Sequence, residues 1–197
     1  MAEPSQSDAT RADALIVGGG LASGLIALRL KAARPASRVV VLERERRIGG
    51  EHTWCCFDTD VSPSIWTWLS PLVERRWDGY EVRFPRHRRA LSTAYSAITS
   101  AKLAAAVEAA LSEDAWTSVE AAEVGADRVR LADGRRLVAP LVIDARGARR
   151  SQSLALAWQK FLGIEVRLER PHELSRPIVM DATVDQIDGY RFLYVLP

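Results

Sequence analysis

LIVGGGLASGLIALRL, residues 15 to 30, sets an apolar run, three glycines and a helical pattern in immediate succession. Residues 13 to 17 (DALIV) have the length and apolar continuity of a buried strand. After Gly18, Gly19 and Gly20, the residues Leu21, Leu25 and Leu28 with the small Ala22 and Ala27 fall at helical spacing over residues 21 to 33, and Pro35 predicts the stop. Outward from there, residues 38 to 43 (RVVVLE) form a second continuous apolar strand. Strand, glycine turn, helix and strand predict a β-α-β unit with parallel strands, and with it an α/β fold.

A turn of this kind binds a dinucleotide when glycine occupies the sharp bend, glycine occupies the place where backbone meets pyrophosphate, and a small residue lets the helix cross the strand. Gly18 and Gly20 fill the first two places; the third falls on Ser23, with Gly24 one step later. The amides of residues 20 to 23, at the positive end of the helix, would face phosphate oxygens. Glu43 ends the second strand, where an acid takes ribose hydroxyls, and its charge disfavours the 2′-phosphate of NADP. The alternative is a glycine-rich turn that only packs.

Composition bounds the remaining possibilities. The chain has 197 residues, 48% hydrophobic and 26% charged, enough apolar material for a core. Its formal net charge is +2 and its arginines are interspersed with acids, which argues against nucleic acid as a partner. Cys55 and Cys56 are adjacent, so they predict neither an ordinary structural disulfide nor a zinc site, and they favour a reducing compartment. No apolar run of about 18 residues exists and the start (MAEPSQSDATRA) is polar, so the expected location is cytoplasmic with residues 1 to 12 disordered. Peripheral attachment to the inner face of the cell membrane needs only an apolar patch and stays open.

Beyond residue 44 the pattern changes. A Trp-rich segment (SIWTWLSPLV), a strand-like YEVRF and an alternating RALSTAYSAIT read as an excursion into a second lobe. Ser100 is placed to cap a helix over residues 101 to 111, and Asp133-Gly134 predicts a hairpin turn. LVIDARG returns as a buried strand, and WQKFLGIEVRLE, PIVMDATVD and YRFLYVLP alternate with the period of an antiparallel sheet.

Gly49 and Gly50, just after Glu43, resemble the glycine pair that follows the ribose-binding acid in the glutathione-reductase-like FAD superfamily. GGGLASGLIALRL, IGGEHTW, RFPRHRRALSTAYSAITS, VIDARG and PIVMDATVDQIDGYRFLYVLP together resemble the bacterial flavin-dependent lycopene β-cyclases. The resemblance implies a Rossmann-like FAD-binding βαβ domain from residues 13–54 and 100–153 and an antiparallel β substrate lobe, incomplete, from residues 55–99 and 154–197. It implies an isomerase in carotenoid biosynthesis that closes the ψ-ends of lycopene into β-ionone rings, through the monocyclic γ-carotene to β-carotene, without net redox change. The implied cofactor is reduced FAD, kept reduced by NADPH or NADH.

By the same resemblance, Gly18, Gly20, Ser23, Gly24 and Glu43 hold the ADP half of FAD. Gly49, Gly50 and Thr53 line the following loop, and Asp144, Ala145 and Gly147 form the returning strand end, with a simple strand-end cap as the alternative for Asp144. His52 would hydrogen-bond a reduced ring or serve no catalytic purpose. Asp181 and Asp185 lie among apolar neighbours, where a raised pKa would keep a proton donor protonated; the alternative for either is a turn or sheet-end role. Trp66, Trp68 and Leu69 with Arg83, Arg86, His87, Arg88 and Arg89 are candidates for a membrane-docking edge, or for core and solvated face respectively. Members of the family are roughly twice as long, and an acidic E-E-T or E-D-T motif is expected just beyond Pro197, so the chain is expected to be partial, with open strand edges in residues 178 to 183 and 190 to 196. Two other readings stand beside the cyclase: an FAD-dependent monooxygenase or related oxidoreductase, and a non-catalytic FAD-binding fragment.

Overall fold

In the computed structural model, which describes residues 9–147, 152–157 and 161–197, every residue of Ala14–Val17 and Val39–Leu42 is buried. The two strands lie parallel, Leu15 opposite Val40 and Val17 opposite Leu42, joined by helix α1 (Leu21–Ala33). Pro35 lies two residues beyond α1, whose end is closed by the Lys31 ammonium, donating to the carbonyls of Pro35 and Ser37 at 2.9 Å each. Leu141–Asp144 and Ala115–Trp116 complete a four-stranded parallel sheet in the order Leu141–Asp144, Ala14–Val17, Val39–Leu42, Ala115–Trp116.

Strand alternation gives this sheet two apolar faces. Leu15, Val17, Val40 and Leu42 pack with Val129, Leu131, Leu137 and Ala139 of a second sheet, ordered Thr10–Arg11, Arg136–Val138, Arg128–Leu131, Ala121–Val124. Its central hairpin turns at Gly134 as Asp133-Gly134 predicts, with φ at +91°. Helix α1 packs against the parallel sheet and against a second helix, Ser100–Leu111.

Two compact units emerge, one from Met1–Trp54 and Ile98–Ala148, the other from Cys55–Ala97 and Arg149–Pro197, counting the described residues of each. The second unit holds a sheet in the order Leu193–Val195, Ile178–Asp181, Tyr80–Phe84, His87–Leu91. It also holds the short helix Pro63–Leu69, capped by the Ser62 hydroxyl accepting from the Ile65 amide.

Several expectations need correction. Thr10–Arg11 form a strand parallel to Leu137–Val138 rather than part of a disordered tail, because the hairpin leaves an edge for them to pair with; residues 1–8 lie outside the described residues. The cap of the Ser100–Leu111 helix is Thr99, whose hydroxyl accepts from the Lys102 amide at 3.2 Å, while Ser100 is already helical. RALSTAYSAIT is two strands, His87–Leu91 and Tyr95–Thr99, in different sheets. Ile178–Asp181 runs parallel to Tyr80–Phe84 and antiparallel to Leu193–Val195, so this sheet is mixed, not antiparallel. Residues 161–169 carry no strand despite their alternation, and Leu162 is 90% exposed: a period-two pattern yields a strand only where a partner strand meets it. Residues 158–160, the start of that predicted segment, lie outside the described residues.

Candidate functional site

The glycine turn joins a strand whose neighbours on both sides constrain it. Gly18 has φ of +101°, and a Cβ there would come within 2.8 Å of the Ala145 carbonyl oxygen, so the returning strand end passes directly against the turn. The Ala145 amide donates to the Val17 carbonyl at 2.8 Å, which fixes that approach. Gly20 is the N-cap of α1, makes no side-chain cap bond, and has open space where a Cβ would be. Ser23, the third residue of α1, is fully buried with its hydroxyl lacking a hydrogen-bond partner.

Gly19, which the fingerprint treats as variable, is also closely packed, here by side chains. Its amide donates to Glu43 Oε2 at 2.5 Å, and its carbonyl accepts from the Gly49 amide at 2.7 Å. A Cβ there would stand 2.9 Å from both Glu43 Oε2 and Ile48 Cδ1. Glu43 Oε1 takes a second amide, that of Glu45, at 2.8 Å. The acid thereby ties the end of its strand to the turn, while the Gly19 carbonyl ties the turn to the Ile48-Gly49-Gly50 loop, and each carboxylate oxygen keeps a lone pair for a further donor such as a ribose hydroxyl. The middle glycine of GGG is the only sequence signal for this; nothing in the sequence points to Ile48, whose fully buried side chain closes the same contact.

Gly24 also packs closely, since a Cβ there would lie 2.9 Å from Leu103 on the neighbouring helix. Gly49 and Gly50 adopt positive φ, with Gly49 backed by Ser100. The Ser100 amide donates to the His52 carbonyl at 2.9 Å, anchoring the loop through backbone while the exposed His52 ring lies 5.6 Å from that of Trp54. Thr53 is exposed at the start of its strand. Asp144 binds the Arg146 guanidinium at 2.5 and 2.7 Å, and that bond raises the Arg146 pKa further; Gly147 follows with φ of +84°. Gly18, Gly19, Gly20, Ser23, Glu43, Gly49, Gly50 and the Asp144–Gly147 segment are thus all in one unit. This arrangement fits the ADP half of a dinucleotide: uncapped amides at a helix start, no side chain at Gly20, and an acid held at the adjacent strand end.

A second polar cluster lies in the other unit. Glu81 accepts from Arg83 Nε at 2.6 Å and from Arg88, and these bonds hold its carboxyl at about 2 against an ordinary value of 4.5. Asp181 lies opposite Arg83 in the strand register, 3.6 Å from Arg83 Nη1. Its Oδ1 accepts both the hydroxyl of Thr183, at 2.5 Å, and the Thr183 amide, at 3.1 Å. These bonds, with Arg83, place the Asp181 pKa below the usual carboxylate range, which overturns the expectation of a raised value: the aspartate ends a strand beside donors, not in an apolar pocket. Asp185 is exposed. Trp66 and Trp68 are half-buried and Leu69 is buried, whereas Arg86, His87, Arg88 and Arg89 are exposed. Sequence reading missed a chain of protic groups in the same unit, in which the buried Tyr95 and the exposed Tyr194 share a hydrogen bond at 2.8 Å and the Tyr194 hydroxyl donates to Cys55 Sγ at 3.0 Å.

Among the described residues no helix is long and apolar enough to cross a membrane. Solved structures share the fold. The FAD-dependent monooxygenase pqsL of Pseudomonas aeruginosa, described as probable, superposes with a TM-score of 0.56 at 20% identity, over 77% of this chain and 48% of that one. The p-nitrophenol 4-monooxygenase PnpA of Pseudomonas putida DLL-E4 superposes with a TM-score of 0.54 at 19% identity, over 73% of this chain and 42% of that one. In sequence the chain is 46% identical to the lycopene beta-cyclase of Pseudescherichia vulneris and 44% identical to that of Pantoea ananas, in each case over 94% of this chain and 48% of the relative. It spans about half the length of the curated relatives it matches. Residues 13–197 match the family described as lycopene cyclase protein, and the chain belongs to that family.

Proposed function

We propose that the chain is the FAD-binding and partial substrate-binding portion of a lycopene β-cyclase. The observation that carries this reading is the family match across residues 13–197, together with the dinucleotide geometry of the Gly18–Gly20 turn. The overall reaction is an isomerisation: a proton adds to the terminal double bond of a ψ-end, the neighbouring double bond attacks the tertiary cation to close the ring, and a ring proton leaves. Atoms and electrons balance without an external oxidant. Reduced FAD, maintained by NADPH or NADH, supplies negative charge beside the developing cation in an apolar site.

The chain's own residues bind and orient. The amides of the α1 start face the pyrophosphate, Glu43 takes ribose hydroxyls, and the loops at Gly49-Gly50, His52-Thr53 and Asp144–Gly147 border the flavin side. Asp181, held ionised by Thr183 and Arg83, suits removal of the ring proton rather than the first protonation. Asp185 is the remaining acid of that segment. Lycopene and its monocyclic intermediate are lipid-soluble, so the enzyme works on the inner face of the cell membrane as a peripheral protein.

The test uses lycopene-accumulating bacteria expressing a chimera in which this chain is joined at Pro197 to the remaining part of the Pantoea ananas relative. β-Carotene from the chimera, and none from the same chimera with Gly18→Val, is the expected result. Red cells containing a soluble, FAD-loaded chimera would refute the cyclase reading while leaving the FAD site standing.

A further inference from the structure

Arg88, Glu81, Arg83 and Asp181 form a chain of alternating charge on one face of the mixed sheet. A β-bulge puts Asp181 there. Ile178 stands opposite Glu81, so an unbroken register would set Met180 opposite Arg83; instead Met180 meets Val82 and Asp181 meets Arg83. One extra residue thus turns an aspartate, in place of a methionine, toward the guanidinium, and re-aiming a side chain is what bulges beside functional groups do. The Ala182 amide fixes this register by donating to the Arg83 carbonyl at 2.8 Å. The two oxygens of Asp181 then differ. Oδ1 accepts both the hydroxyl and the amide of Thr183. Oδ2 accepts no hydrogen bond among the described residues and faces Arg83 Nη1 at 3.6 Å, too far for one. Glu81 holds the guanidinium back: its Oε1 takes Arg83 Nε at 2.6 Å and is itself tied to Arg88. Leu193, opposite Asp181 on the other neighbouring strand, brings no charge.

We infer that Glu81 and Arg83 are positioning residues for Asp181: Glu81 anchors the guanidinium where it attracts the Asp181 carboxylate without bonding to it, which leaves Oδ2 open to take a proton. The inference rests on the cyclase reading for the source of that proton. It comes from the ring carbon beside the cationic centre, whose C–H electron pair becomes the ring double bond, so no oxidant or reductant enters. An Arg83 closed onto Oδ2 would compete for the lone pairs that the proton needs. An Arg83 removed would leave the carboxylate without its nearby positive charge. The Glu81 pKa of about 2, and an Asp181 pKa held down by Thr183 first and Arg83 after it, keep every member of the chain charged at neutral pH.

The experiment labels aspartate Cγ with carbon-13 in the 197-residue chain, assigns Asp181 with Asp181→Asn, and follows its titration by NMR wherever circular dichroism shows the fold intact. In Arg83→Gln the Asp181 midpoint is expected to rise by about one pH unit, a roughly tenfold gain in proton affinity. In Glu81→Gln the midpoint is expected to fall, and a crystal structure to show Arg83 closing from 3.6 Å to hydrogen-bonding distance of Asp181 Oδ2. A general loosening of the sheet would move both midpoints the same way. In the chimera with the Pantoea ananas relative, each variant should slow β-carotene formation about tenfold, and Glu81→Asp, which keeps the charge, should recover most of the rate. Midpoints that move together or not at all, an Arg83 that keeps its distance in Glu81→Gln, or full carotene rates in both variants would overturn the inference. Red cells from the unaltered chimera count against the cyclase reading alone, because the midpoints and the Arg83 distance are read in this chain without the reaction.

Discussion

Gly19 shows how a single hydrogen atom in place of a side chain can set a site. Glu43 reaches the Gly19 amide because no Cβ intervenes, and the same position lets Ile48 close from the other side. Gly19→Ala is expected to push the Glu43 carboxylate off the turn, weakening FAD binding about tenfold in a fluorescence-quenching titration, the loss of one charge-assisted hydrogen bond. Gly18→Val acts through backbone instead, because its φ and the Ala145 carbonyl both exclude a branched side chain; destabilisation of about 1–3 kcal/mol in urea is the expected outcome. At Cys56, burial first, then the charge of Asp60, pushes the thiol pKa up. Its thiolate fraction at pH 8 is therefore lower than that of a free cysteine, and alkylation by iodoacetamide, followed by mass spectrometry, should run about threefold slower or more.

Among elements, the pairing of α1 with the Ser100–Leu111 helix depends on Gly24 against Leu103. Gly24→Val overpacks that crossing and is expected to cost about 1–3 kcal/mol by urea denaturation, more than Ala22→Val on the exposed side of the same helix. In the mixed sheet, Glu81 bridges Arg83 and Arg88 across neighbouring strands. Its folded pKa of about 2 lies below the ordinary 4.5, so its contribution to stability is fully present above pH 4.5 and is lost as pH falls towards 2. Asp181, shifted in the same direction, adds to that acid sensitivity. Denaturation midpoints measured across that window should fall less steeply for Glu81→Gln than for the unaltered chain, and equal slopes would discount the bridge. The elements legible in the sequence were those with a strong period: α1 matched residues 21–33 and YEVRF matched Tyr80–Phe84. The stretch from 161 to 169 alternates just as clearly and forms no strand, since alternation records a capacity for burial, not the presence of a partner.

For the whole molecule, exposed apolar surface is unevenly distributed. Ile187, Tyr190 and Leu193 are each more than half exposed, as are Phe161, Leu162 and Ile164. Such surface binds hydrophobic dyes and promotes association. The chain is expected to enhance ANS fluorescence, and the enhancement should fall when Leu162 and Ile164 are both replaced by serine. A signal unchanged in that variant would place the dye elsewhere.

Sequence alone determined the β-α-β unit, its glycine turn and its acid, because local periodicity, a forced positive φ and the residue types needed for phosphate and ribose are all local properties. It also carried the family, through motifs distributed along nearly the whole chain. Only tertiary structure decided that Gly19 holds the Glu43 carboxylate, that Gly24 packs a helix, that Thr183 and Arg83 lower the Asp181 pKa, and that Ile178–Asp181 pairs in parallel with Tyr80–Phe84. Each of these depends on a partner distant in sequence, and a carboxylate's pKa or a strand's edge is fixed by the neighbour that folding brings to it.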